Sequence, residues 1–221
     1  MKPATNDRSL LAALVALTAV TGLVDAVSFL GLGRIFTANM TGNIVLLGFA
    51  FAGVQELSVS RSSAALVSFA AGSVAGARLV PKDRSPGEQL SVAMLYEVAL
   101  LALAALVAVG AAGELSGMAA YVVIACTAVA MGLRTAVVRR MAVPDVTTTV
   151  LTLTLAGLAA DSVIGGGHAL RTRRRVLSIV AMIAGAFVGA ALLQRFSVAV
   201  PLGGAALLVA ALAVSLRYAR T

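Results

Sequence analysis

A chain of 221 residues that is 60% hydrophobic and only 12% charged cannot close a polar surface over an apolar core, since soluble domains are about a quarter charged. Lipid is therefore expected as its main solvent. The formal net charge of +8 does not mark a nucleic-acid binder, because the basic residues fall in short clusters between apolar segments, the pattern that marks the cytoplasmic side of a membrane protein.

Eight apolar segments can be marked, at roughly 9–30, 37–54, 62–80, 89–112, 117–138, 147–160, 175–194 and 198–216. Turn chemistry separates them: "GLGR", "PKDRSPGE", "GELSG", "VPD" and "IGGGHALRTRRR". The first segment follows Lys2 and Arg8 and has no convincing small-residue cleavage site after it, so it reads as an uncleaved span. Its latter half holds Asp25, either a functional intramembrane acid or an interfacial group near a helix end.

The second segment opens with Thr37, Asn39, Thr41, Gly42 and Asn43, and its continuous apolar part is only 44–54. Runs of ~10–14 residues are too short to span and fit re-entrant segments. The polar side chains can cap the helix that follows and satisfy backbone that leaves helical geometry, where lipid offers no partner. The third segment carries Gly72 and Gly76, and the seventh Gly185 and Gly189. That four-residue spacing lets helices approach closely, within the bundle or between protomers of a homo-oligomer. Glu97 lies inside the fourth segment, either lining a cavity or snorkelling to the interface.

The fifth segment contains Arg134 and the single cysteine, Cys126, which reads as a small packing residue. The sixth is threonine-rich, with Thr147, Thr148, Thr149, Thr152 and Thr154. The lone His168, in a loop after three glycines, has no partners for a metal or catalytic site. No spacing marks a metal, cofactor, nucleotide or hydrolase site, so no enzyme and no cofactor is expected.

The chain repeats itself. "FAAGSVAGA" at 69–77 matches "MIAGAFVGA" at 182–190, and "TGLVDAV" at 21–27 matches "MGLRTAV" at 131–137. "MTGN" at 40–43 then falls on "LTLT" at 151–154. Offsets of 113, 110 and 111 in the same order point to a duplication, with one repeat at about 9–112 and the other at about 117–217.

Charge chooses between two architectures. Eight spans in a parallel 4+4 repeat leave the 17 basic residues nearly evenly divided, nine inside and eight outside. If segments two and six enter and leave on one side, only Arg34, Arg61 and Arg195 remain outside. That asymmetry is the expected one. The fold class read from the sequence is therefore an all-α membrane protein with six transmembrane helices and two re-entrant half-helices in an inverted 3+3 repeat, both termini cytoplasmic. Asp25 and Arg134 would then approach near the pseudo-twofold axis and could pair.

"GLVDAVSFLGLGRIFTANMTGNIVLLG" closely resembles the signature of the YoaK-like family of small bacterial integral membrane proteins, and "MGLRTAVVRRMAVPDVTTTVLTLTLAGLAAD" resembles that family's second signature. The resemblance covers most of the chain and implies a multipass protein of the bacterial inner membrane; it carries no chemistry. One departure is Leu153 after Thr152, where the second copy often keeps a Thr-Gly pair.

The functional expectation is passage of a small polar or anionic solute by a secondary transporter or channel. Asn39, Thr41, Gly42, Asn43, Thr152 and Thr154 are the expected binding residues. Asp25, Glu97 and Arg134 are the expected proton-coupling or ion-pairing groups. The competing expectation is a membrane scaffold or assembly factor, with the polar cluster structural.

Overall fold

The computed structural model describes residues 5–111, 115–141, 156 and 169–218. Seven helices account for nearly all of them. α1 (Thr5–Gly31) runs unbroken until a tight turn in which Gly33 and Arg34 both take positive φ, 92° and 57°. α2 (Met40–Phe51) is capped by Asn39 and stops at Ala52, followed by Gly53 at φ 91°, the left-handed residue that commonly ends a helix. α3 (Val59–Leu79) is capped by Ser58 and ends ahead of Pro81. α4 (Pro86–Gly110) opens on a capping box of Ser85 and Glu88, with Pro86 in its first turn, where the missing amide costs nothing.

α5 (Gly117–Met141), α6 (Ala169–Leu193) and α7 (Ala199–Tyr218) complete the bundle. The expected sixth apolar segment, 147–160, lies outside the described residues apart from Ala156. The other seven segments each coincide with a helix, shifted by a few residues at the ends.

Among the described residues, five helices are both long and apolar enough to cross a bilayer: Ser9–Gly31, Pro86–Gly110, Gly117–Met141, Arg173–Leu193 and Ala199–Tyr218. α3, at 21 residues, has comparable length but carries Arg61, Arg78 and five serines. α2 has 12 residues and so is about 18 Å long at ~1.5 Å per residue, against a hydrocarbon core of ~30 Å. Leu90, Met94, Leu101, Ile124, Leu202 and Val209 have no exposed surface and form the centre, where α4 packs on α5 and α7. Ile44, Phe49, Phe51, Val67, Leu106, Phe187 and Leu207 point outward, as expected where lipid is the solvent.

Glycine sets the other main contacts. α1 packs chiefly on α6, and α3 on α5. A Cβ added to Gly72 would lie 2.2 Å from Val129 O, and one on Gly76 2.5 Å from Leu133 O. A Cβ on Gly185 would lie 1.8 Å from Ala19 O, and one on Gly189 2.8 Å from Leu23 O. A Cβ on Gly132 would lie 2.1 Å from Phe69 O, and one on Gly22 2.2 Å from Met182 O. In every case the neighbour is backbone, so only glycine allows the approach. The two interfaces match residue for residue at offsets of 113 in α3/α6 and 110 in α1/α5.

These contacts also give direction. Along each interface, the residue numbers of the two partners rise together from one glycine to the next, so α6 runs parallel to α1 and α5 parallel to α3. The start of α3 is fixed beside the end of α1: Arg61 Nη1 donates to Leu32 O at 3.0 Å. Arg34, before α2, forms an ion pair with Glu56, after it.

Candidate functional site

Thr21 and Asp25 are one helical turn apart on α1 and share a face. Both are buried. Asp25 Oδ1 accepts the amides of Thr37, at 3.1 Å, and Ala38, at 2.8 Å. The acid thus holds the turn that leads into α2, and those two amides supply the hydrogen bonds a buried carboxylate needs.

The start of α2 is fixed by its own sequence. Asn39 Oδ1 accepts the Gly42 amide at 3.2 Å. Asn43 is fully buried; its Oδ1 accepts the Phe36 amide at 2.8 Å and its Nδ2 donates to Phe36 O. Gly42 leaves room for the Phe36 ring, which a Cβ would meet at 2.9 Å. That ring stacks on Phe29, centroids 5.0 Å apart.

Arg134 reaches in from α5. Its Nη1 donates to Glu97 Oε1 at 2.6 Å, and its Nη2 donates to Thr21 Oγ1 and meets Met131 Sδ at 3.2 Å. The two charged side chains are 3% and 0% exposed. A desolvated pair of this kind persists only when its geometry and extra hydrogen bonds offset the cost of removing both charges from water. Glu97 Oε2 is buried with no hydrogen-bond partner among the described residues, as are Thr37 Oγ1 and Ser62 Oγ.

A cavity of about 530 Å³ opens between these elements. Its polar wall is Thr21, Asp25, Asn39, Thr41, Arg134 and Thr135, with the Gly42 backbone at the start of α2. Its apolar wall includes Phe36, Met40, Phe69 and Met182. The cavity joins α1, α2, α3, α5 and α6.

Of the residues named from sequence, Asp25, Asn39, Thr41, Gly42 and Arg134 come together around this space. Asn43 and Glu97 do not line it. Asn43 is a clasp behind the wall, because both ends of its amide are committed to Phe36. Glu97 stands behind Arg134 as its counter-ion. The expected pairing of Asp25 with Arg134 is corrected: Asp25 is taken by the amides of the turn before α2, and Arg134 by an acid from α4. Thr152 and Thr154 lie outside the described residues. Gly72, Gly76, Gly185 and Gly189 serve the helix interfaces.

Thr21, Phe36, Phe69 and Met182 join the site without having been singled out from sequence. Thr21 carried a usable signal, its four-residue spacing from Asp25. It and Met131, which flank the same guanidinium, are also matching positions of the similar strings at 21–27 and 131–137, at an offset of 110. Phe69 and Met182 are matching positions of the strings at 69–77 and 182–190, at an offset of 113, but nothing in an apolar run shows which side chain faces a cavity, and Phe36 carried no signal.

Fold and site together define a multipass helical membrane protein with a charged, partly open cavity. Residues 13–215 match the family described as a protein of unknown function, DUF1275, and the chain belongs to that family. Over 156 residues it is 33% identical to the UPF0700 transmembrane protein YoaK of Bacillus subtilis (strain 168), covering 70% of this chain and 67% of that protein. The resemblance drawn from the two motifs is thereby borne out. No solved structure matches the chain.

Proposed function

We propose that the protein carries a small polar or anionic solute across the bacterial inner membrane, as a secondary transporter or channel and without catalysis. The observation that carries this reading is the cavity itself. Space walled by Asp25, Arg134, Asn39 and Thr41 within a helical bundle is costly unless something polar occupies it.

The architecture we propose is the inverted 3+3 repeat, with both termini cytoplasmic and α2 as one re-entrant half-helix. Its support is the short α2 and the Arg34–Glu56 and Arg61–Leu32 contacts, which bring the chain before and after α2 to the same end of α1. α3 then runs opposite to α1. α5, parallel to α3, also runs opposite to α1, its counterpart in the duplication. Opposed counterparts are the mark of inverted repeats, whose sites lie where broken helices meet near the midplane. The scaffold alternative, in which the polar cluster is structural and the glycine faces bind a partner, is disfavoured on its second count, because the paired glycines are used inside the bundle.

The test is flux. Proteoliposomes holding the protein should take up at least one member of a labelled panel of amino acids, short carboxylates, phosphate and polyols above empty vesicles. Thr41→Val with Thr135→Val, isosteric changes in the wall, should reduce that uptake while leaving the protein folded. No uptake of any panel member would overturn the reading.

A further inference from the structure

We propose that the cavity binds a compact zwitterion with an uncharged, largely apolar body, an α-amino acid being the simplest example; this rests on the transport reading. The argument is the placement of two opposite charges. Asp25 and Arg134 line the same cavity without pairing with each other. Their separation follows from α1. Arg134 Nη2 touches Thr21 Oγ1, and Thr21 and Asp25 are neighbours at four-residue spacing, roughly 5–6 Å apart. Guanidinium and carboxylate are therefore about one helical turn apart. That gap suits an ammonium and a carboxylate on one carbon, and is too short for charges at opposite ends of a long chain.

Both groups keep capacity for a ligand. Arg has five N–H donors in a fixed fork. In Arg134, Nη1 serves Glu97 and Nη2 serves Thr21, with Met131 sulfur beside it. On Asp25 the Thr37 and Ala38 amides share Oδ1 and the Asn39 amide also acts on the carboxylate, whose two oxygens offer about four acceptor sites. Charge balance favours the same ligand. Glu97 already neutralises Arg134, so a bare anion would leave the ensemble of Asp25, Glu97 and Arg134 two charges negative. A bare cation would neutralise Asp25 but use none of the remaining guanidinium donors. A zwitterion meets both groups without changing the net charge. Phe36, Phe69, Met40 and Met182 offer an apolar surface to its body.

The test compares whole ligands with their halves on the intact chain in detergent, read as a shift in thermal midpoint. L-leucine is set against 4-methylpentanoate, which lacks its ammonium, and 3-methylbutylamine, which lacks its carboxylate. L-alanine is set against propionate and ethylamine. At least one amino acid should raise the midpoint by a few degrees at millimolar concentration, with its halves producing no shift. Asp25→Asn should weaken that amino acid's binding roughly tenfold or more. A half that stabilises as well as its parent, no shift from either amino acid, or an undiminished shift in Asp25→Asn would each overturn the assignment. The wild-type comparison stands even if Asp25→Asn fails to fold. Uptake of an anion or polyol in the flux panel, with no amino-acid effect, would remove this assignment and leave the transport reading intact.

Discussion

Arg134 Nη1 lies 2.6 Å from Glu97 Oε1, joining α5 to α4 where neither side chain has appreciable solvent. The pair is buried and one guanidinium edge is left to Thr21. Breaking it from one side strands a charge. Glu97→Ala is expected to lower stability by about 3–5 kcal/mol, while Glu97→Leu with Arg134→Met should recover most of that loss. Thermal or denaturant unfolding in detergent gives both values. With Glu97→Leu and Arg134→Met also measured singly, a double-variant loss equal to the sum of the two single losses would show that the pair is not coupled.

The glycine interfaces make a graded prediction. Gly185→Leu and Gly72→Leu force side chains onto the backbones of α1 and α5. Each should cost more than the ~1–3 kcal/mol usual for overpacking, because backbone cannot turn aside as a side chain can. Gly203→Ala has open space around it and should be neutral or slightly stabilising, since alanine is the better helix former. Thermal midpoints of the three variants give the ranking.

Asn43 fastens residue 36 to the first turn of α2 with two hydrogen bonds. Asn43→Leu leaves the Phe36 N–H and C=O without those partners, at about 1–3 kcal/mol for an unsatisfied buried group. The expected readout is faster proteolytic nicking between residues 33 and 43, with the rest of the bundle retaining its protection.

Much of this was legible in the sequence. The matching small-residue strings fall on the helix contacts because close approach admits only glycine, and the same offsets of 110 and 113 recur in the interfaces. The brevity of α2 followed from the length of its apolar run. Partner choice was not legible. Asp25, Glu97 and Arg134 each stood out as ionisable groups in apolar runs, but which two meet depends on how each helix is rotated. Segments hydrophobic on every side carry no period that fixes rotation. For the same reason Asn43 could not be told apart from Asn39. Both are polar residues at a helix start, and only the returning Phe36 backbone makes one a clasp.

The Arg34–Glu56 pair is exposed, at 55% and 66%. Arg34→Ala is expected to change stability by less than ~1 kcal/mol, as surface ion pairs do, and by less still at high salt. An unfolding series in low and high salt checks this.

The re-entrant course of α2 is tested most directly by sidedness. In a Cys126→Ala background, single cysteines replace Arg34, Gln55 and Asp83, and intact cells are treated with a membrane-impermeant maleimide. The account predicts that positions 34 and 55 are labelled from outside and that position 83 is protected until the membrane is opened. Labelling of 34 and 55 from opposite faces would mean that α2 crosses the bilayer, contradicting the inverted arrangement and the solute path built on it.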